Sequence, residues 1–350
     1  MNILKPIAAV LLASVALAGC GGPPSSSGGA ARDQIRAVGS STVYPFATAV
    51  AESLVKNQQG LKSPIIESTG TGAGIKLFCA GVGVAHPDIV TASRRMKKSE
   101  YEECAKAGVT DIVEIQIGLD GIAFAEAKDG PEIKLSLADV YKALAAQPFG
   151  KPQTAKNWND VNPALPAIPI LVYGPPSTSG TRDSLNELIL EKGCDTDPAM
   201  KDLKKSNEDE HKRICRGVRT DGAYVEQGEN DNLIVQKISQ NPKAIGVFGF
   251  SFLEANMDKL KGNTMNGVTP TYETVSDFSY PGARPLYIYI KAAHTKSIRG
   301  LKEFAQEFAG AWGPDGYLKT KGMVIAPEDV RAKNAAIASG MTLLDPSALK

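Results

Sequence analysis

The chain has 350 residues, 39 Lys+Arg against 38 Asp+Glu for a formal net charge of +1, 43% hydrophobic and 6% aromatic residues, 34 Gly and 22 Pro. That length allows two or three domains around a large core, and so even a charge balance supplies no field for gathering polyanions. No basic run is interleaved with aromatics, which argues against a disordered or nucleic-acid-coating protein.

Residues 1–20 carry one cation, Lys5, then an apolar stretch over 7–17 and small residues, the layout of a secretory signal to be set aside from the fold. The apolar stretch falls short of the roughly 20 residues that span a bilayer, so the mature chain is not expected to cross one. Leu17-Ala18-Gly19-Cys20 resembles the lipobox of bacterial lipoproteins, which implies a signal peptide over 1–19 and lipidation of Cys20. A signal cut nearby, with Cys20 left as a chance thiol, is the alternative. Residues 21–31 are only Gly, Pro, Ser and Ala, so 20–31 reads as a flexible tether.

Setting Cys20 aside leaves Cys79, Cys104, Cys194 and Cys215, an even number in a chain bound for an oxidising compartment. Three pairings are open; the sequence-local one, Cys79–Cys104 with Cys194–Cys215, is favoured because each bond closes a short loop. A zinc site is the rival reading, but no C-x-x-C or histidine spacing supports it.

From residue 32 onward short β-rich runs alternate with helical periodicity, which argues for an α/β protein with mostly parallel sheets. Strands are expected at 35–37, 64–68, 88–92, 112–117, 122–125, 168–173, 244–250 and 286–290. Phe46, Val50 and Leu54 mark one helix; Ser99-x-x-Glu102 reads as a capping box for a second that Gly108 closes, and Ser136-x-x-Asp139 as another. Leu185, Leu188 and Ile189 set the face of a helix starting near Gly180, and Ile298, Leu301, Phe304 and Phe308 do so after Ser297. Residues 118–121 and 281–285 look like hinges. The charged stretch 194–219 reads as a solvated helix face.

Four loops rich in glycine, hydroxyl or arginine residues lie between a strand and a helix: Gly39-Ser40-Ser41-Thr42, Ser68-Thr69-Gly70-Thr71-Gly72-Ala73-Gly74, Ala92-Ser93-Arg94-Arg95 and Ser177-Thr178-Ser179-Gly180-Thr181. Ligands of open α/β sheets bind at such carboxyl ends. A helix N-terminus offers unpaired N–H groups and partial positive charge, glycine lets the backbone approach, and Ser or Thr adds a neutral donor. Each loop alone is ordinary turn and cap chemistry; four together point to an oxyanion. Arg94 adds a guanidinium that matches two oxygens of a tetrahedral anion, and Arg95 is its weaker rival.

Gly74-Ile75-Lys76 lacks the Gly-Lys-Ser/Thr of a nucleotide P-loop, and the glycine spacing is not that of a dinucleotide fold. His86, His211 and His294 stand in no metal-ligand spacing, and no serine lies in a G-x-S-x-G elbow. No catalytic residue, cofactor or metal is therefore expected.

These residues resemble the substrate-binding proteins of bacterial phosphate-specific ABC transporters. The match is carried by Val38-Gly39-Ser40-Ser41-Thr42-Val43-Tyr44-Pro45, by Gly70-Thr71-Gly72-Ala73-Gly74-Ile75-Lys76, by Asp88-Ile89-Val90-Thr91-Ala92-Ser93-Arg94 and by Ser179-Gly180-Thr181, and covers nearly all of 32–326. It implies a two-lobed periplasmic-binding-protein fold of type II with two hinge crossings. Lobe 1 would comprise 32–117 and 285–345, lobe 2 118–284. It further implies an extracytoplasmic, lipid-anchored, monomeric receptor of the periplasm or cell envelope. That receptor would deliver inorganic phosphate to an ABC permease and its ATPase, without enzymatic chemistry or nucleic acid, touching the membrane through its anchor alone. Carried over residue by residue, Ser41, Thr42, Thr71, Ser179, Gly180 and Thr181 hold phosphate, with Val43 as a further candidate; Arg94 joins the phosphate ligands on its own chemistry, and Gly72, Ser93 and Asp183 are further candidates.

The pattern departs from the family in two places. The third-loop aspartate that accepts the proton of hydrogen phosphate is here Arg94, and the arginine four residues before the fourth-loop serine is Pro175. Arg94 would supply the charge from the other lobe; Asp183, Asp120, Asp221 and Asp231 are the candidate acceptors, and the sequence does not choose among them. The alternatives are the same fold binding sulfate, molybdate or another oxyanion, and a phosphate sensor or adhesion protein without transport.

Overall fold

Runs of Ile, Val and Ala too short for helices make the strands, and amphipathic segments between them lay one apolar face on the sheet. The computed structural model describes residues 32–177, 179–227 and 231–349; the signal peptide, Cys20, the tether and Thr178 lie outside the described residues. In chain order the elements are β1 (Arg36–Gly39), α1 (Tyr44–Asn57), β2 (Ile65–Ser68), α2 (Thr71–Phe78), β3 (Ile89–Ala92), α3 (Lys98–Lys106), β4 (Ile112–Ala127), α4 (Leu137–Leu144), α5 (Trp158–Val161) and β5 (Val172–Gly174). There follow α6 (Gly180–Ser184), which continues through a π-helical turn into α7 (Glu191–Cys194), then α8 (Pro198–Ser206), α9 (Glu208–Arg216), β6 (Tyr224–Glu226) and α10 (Asp231–Gln240). The chain ends with β7 (Ile245–Gly249), α11 (Phe250–Ala255), β8 (Leu260–Gly262), α12 (Tyr272–Ser276), β9 (Ala283–Lys291), α13 (Leu301–Gly310) and α14 (Glu328–Gly340).

The strands lie in the order β2-β1-β3-β9-β4-β7-β5-β6, with β8 on the far end of β4. Parallel pairs form the two flanks, β1 with β2 and β3, and β5 with β6 and β7. The antiparallel pairs gather around β4 and β9. This is the expected two-lobed α/β architecture, with the long β4 passing from one half-sheet into the other.

The strands expected at 112–117 and 122–125 are one strand, because the intervening Gly118 to Gly121 pairs with β9: Gly118 opposes Leu286, Asp120 opposes Arg284 and Gly121 opposes Ala283, after a register shift between Gln116 and Gly118. The two segments read as hinges are thus hydrogen-bonded to each other. β6 and β8, three residues each, were too short to show a period. The N-cap of α3 is Lys97, not Ser99, and no box forms at Ser99 and Glu102: the Glu100 carboxylate accepts the Lys97 N–H at 2.9 Å while holding Arg94. Ser136 and Asp139 form their box as expected.

One apolar core runs through both half-sheets and includes the fully buried Trp158 and Trp312 together with Leu185, Leu301, Phe304 and Phe308. Each such side chain contributes roughly 1.5–3 kcal/mol by leaving water. A smaller cluster with Ile75, Phe78, Tyr287 and Tyr289 encloses Cys79–Cys104, and the second bond joins Cys194 to Cys215. Both are the sequence-local pairs. No described helix is long and apolar enough to cross a membrane.

Candidate functional site

The site begins where β1 ends. Gly39 takes φ +137°, and a Cβ there would collide with the Thr91 carbonyl, which also accepts the Ser40 N–H at 3.0 Å. That close turn delivers Ser41 and Thr42 to the start of α1, whose second position is Pro45, a residue with no N–H to satisfy. The Val43 N–H is turned back toward Ser40 Oγ at 3.4 Å.

The fourth loop arrives from the other half-sheet. Ser179 caps α6 by accepting the Thr181 N–H at 3.2 Å. A Cβ on Gly180 would lie 2.6 Å from Thr42 Cα, so the two loops meet backbone to backbone and only glycine fits. Thr42 Oγ1 donates to the Gly180 carbonyl at 3.0 Å, and the Ser41 hydroxyl donates to the Asp183 carboxylate. Among the four candidate acceptors, Asp183 is therefore the one set against a first-loop donor. Asp221 is paired with Arg219, Asp120 with Arg284 and Ser184, and Asp231 faces the Gly249 N–H at 3.4 Å.

Loops two and three join behind. The N–H groups of Thr69 and Gly70 both donate to the Gly39 carbonyl at 2.8 Å. Thr71 opens α2, with Gly72 next to it, and its hydroxyl lies 3.0 Å from Ser93 Oγ while accepting the Ser93 N–H at 3.1 Å. Thr42, Thr71, Ser93 and Ser179 are all buried. The contacts run in sequence from loop four to loop one, then two, then three.

The Arg94 guanidinium is held elsewhere than on these hydroxyls. It binds Glu100 through two bonds of 2.7 and 2.9 Å and donates to the Arg95 carbonyl at 3.2 Å. Burial works against its charge, but Glu100 outweighs that and raises its pKa; Glu100 in turn, burial notwithstanding, is held below the usual carboxylate range. Arg95 is engaged by Glu114 and the Ala348 carbonyl.

Two arginines absent from the sequence reading stand at the loops instead. Arg284, only 4% exposed, donates to Thr42 Oγ1 at 2.8 Å, Ser184 Oγ at 2.5 Å, Glu187 at 2.8 Å and Asp120 at 3.1 Å. Arg182, directly after the Ser179-Gly180-Thr181 motif, donates to the Pro175 carbonyl at 3.0 Å and to Glu226 at 3.1 Å, 4.7 Å over the Tyr224 ring. It thus places a guanidinium beside the proline that stands where an arginine was expected. The signal for Arg182 was its adjacency to the motif; Arg284 lay in a segment read only as a hinge.

Comparison with known proteins identifies the lineage. The PBP superfamily domain matches residues 24–311. Protein SphX of Synechococcus elongatus is 34% identical over 323 residues, which make up 89% of this chain and 85% of that one. Phosphate-binding protein PstS of Staphylococcus saprophyticus is 30% identical over 301 residues, 83% of this chain and 81% of that one. The crystal structure of a possible phosphate binding protein from Planctomyces limnophilus superposes with a TM-score of 0.68 at 25% identity, covering 87% of this chain and 98% of that one.

Proposed function

Because the chain belongs to the PBP superfamily, among its phosphate-binding proteins of the PstS type, we propose that it is an extracytoplasmic receptor that binds inorganic phosphate and delivers it to an ABC permease and its ATPase. The observation that carries this reading is the backbone contact of Gly180 with Thr42, which brings neutral hydroxyls and the helix N-terminus at Ser179 from opposite half-sheets to one point. A dehydrated anion repays its desolvation only where many donors converge.

The ligand set is Ser41, Thr42, Thr71, Ser179, Gly180 and Thr181, with Val43, Gly72 and Ser93 around them. Arg94 supplies the cation and Glu100 orients it. Every guanidinium nearby already faces a carboxylate, so hydroxyls and amides do most of the holding. Asp183 accepts the phosphate proton in place of the Ser41 hydroxyl, which then turns to the anion. Sulfate, having no proton to give, would set acceptor against acceptor.

Residues 32–117 with 285–345 form one lobe and 118–284 the other; the paired crossings at 118–121 and 281–285 are the hinge on which they close. Closure makes the shape the permease reads, and no covalent step is involved. The receptor is a monomer of the periplasm or cell envelope, tethered through lipidated Cys20.

Calorimetric titration of residues 32–350 with phosphate and then sulfate, near pH 5 and pH 8, tests the reading. Tight phosphate binding without sulfate heat supports it. Equal binding of both anions would make it a general oxyanion receptor, and no heat with either would refute ligand binding. Moving from the membrane to the soluble fraction on Cys20→Ala would support the anchor.

A further inference from the structure

Outside this site the most unusual group of side chains surrounds the second disulfide. Cys194, Cys215 and His211 are all fully buried, and a sulfur from each cysteine and a ring nitrogen of the histidine lie within 4.8 Å of one another. His211 and Cys215 are four residues apart on α9 and so share one helix face; Cys194 ends α7 opposite them.

The histidine is set as a ligand would be. Its Nε2 lies 2.7 Å from Asp195 Oδ1, while its buried Nδ1 has no hydrogen-bond partner among the described residues. With Nε2 engaged by the Asp195 carboxylate, Nδ1 is the ring nitrogen left for a ligand. This is the carboxylate–histidine pairing found behind metal-bound imidazoles. A buried polar atom without a partner is costly, and a ligand at Nδ1 recovers that cost.

We propose that before Cys194 and Cys215 are joined, the two thiolates and His211 Nδ1 bind one zinc ion. Zn²⁺ displaces one proton from each thiol, and two thiolates, a neutral imidazole and the dication sum to zero charge, as a fully buried site requires. Zn–S and Zn–N bonds of about 2.3 and 2.0 Å fit the envelope of the three atoms once the sulfurs separate to van der Waals distance, and water takes the fourth position. The occupant keeps these thiols side by side and away from Cys79 and Cys104. The disulfide and the zinc site are thus alternative states of one pair of cysteines.

The test uses the full chain with Cys20→Ser, Cys79→Ser and Cys104→Ser, reduced with a phosphine and stripped of metal. Cobalt(II) is the probe, read by thiolate-to-cobalt charge transfer and by displacement with zinc, and far-UV circular dichroism follows the fold. One cobalt per chain is expected in the reduced protein and none after reoxidation. His211→Ala should abolish the tetrahedral spectrum, and Asp195→Asn should weaken zinc about ten- to a hundredfold. A reduced chain that unfolds without metal and refolds with it supports the site; one unfolded in both conditions overturns it. So does a folded reduced chain that takes up no cobalt, or one whose spectrum is unchanged by His211→Ala.

Discussion

Arg284 Nη2 donates to the Thr42 hydroxyl at 2.8 Å across a sequence separation of 242 residues. The same nitrogen reaches Ser184, and the rest of the guanidinium binds Asp120 and Glu187. One side chain at the start of β9 therefore holds the first loop, the helix after the fourth loop and the crossing strand β4 together.

Arg284→Met should leave Asp120 without its cation and Glu187 with only Arg216, 3.4 Å away. Breaking a buried pair by removing one partner costs about 3 kcal/mol, to be read from urea unfolding. Phosphate affinity should fall by about tenfold or more, because Thr42 loses one of the two hydrogen bonds that fix its rotamer. Arg284→Lys keeps the charge but not the fork, and should recover less than half of either loss. Full recovery with lysine would reduce the role to charge alone.

Asp183→Asn should change selectivity more than stability. The carboxylate can accept the proton of hydrogen phosphate; the amide can also donate to sulfate. Losing a hydrogen bond to a charged group amounts to about 1.5–3 kcal/mol, so phosphate binding at pH 8 should weaken roughly ten- to a hundredfold while sulfate binding appears. Unaltered discrimination in paired titrations would assign the acceptor to another group.

Arg94→Ala separates a ligand from a structural clamp. As a ligand, Arg94 should be missed by more than a factor of two in phosphate affinity. If it serves only to pair with Glu100 and steady the N-cap of α3, affinity should hold and only stability should drop, by about 1 kcal/mol.

Loop chemistry was legible because the convergence of strand ends follows from an α/β fold, and Gly39 and Gly180 occupy the two close approaches that demand glycine. What the sequence hid was partnership over long separations. Arg284 is one arginine among many until β4 and β9 pair and set it opposite Asp120. Arg94 reads as an unattached cation until Glu100, which belongs to the next helix cap, takes both its nitrogens. The register of β4 through Gly118 and Gly121 was likewise invisible, since two glycines in four residues suggest a turn and only the partner strand makes them extended.

Each disulfide should be removable separately. Chain entropy for sequence separations of 25 and 21 gives about 3 kcal/mol per bond, so Cys79→Ala/Cys104→Ala and Cys194→Ala/Cys215→Ala should each lower the unfolding free energy by that order. Because the two bonds lie in different apolar clusters, the two losses should add. A quadruple variant no weaker than either pair would contradict the additive account.

Lys291 provides a pH signature independent of the ligand. It is 1% exposed, donates to the Gly81 carbonyl at 2.6 Å and stands 4.8 Å over the Phe78 ring. Burial, with Arg32 acting the same way and Asp88 against it, brings its pKa from 10.5 down to about 8. Below pH 8 the ammonium is charged in both the folded and the unfolded chain, and the folded chain bears the whole burial penalty. Between about 8 and 10.5 the unfolded chain keeps the proton that the folded one has lost, so stability rises with pH there. Lys291→Met has no such rise. Its stability relative to the parent should be most favourable near pH 7 and should decline by about 3 kcal/mol up to pH 10.5, and a difference that stayed constant across urea titrations at those pH values would mean that the buried ammonium never gives up its proton.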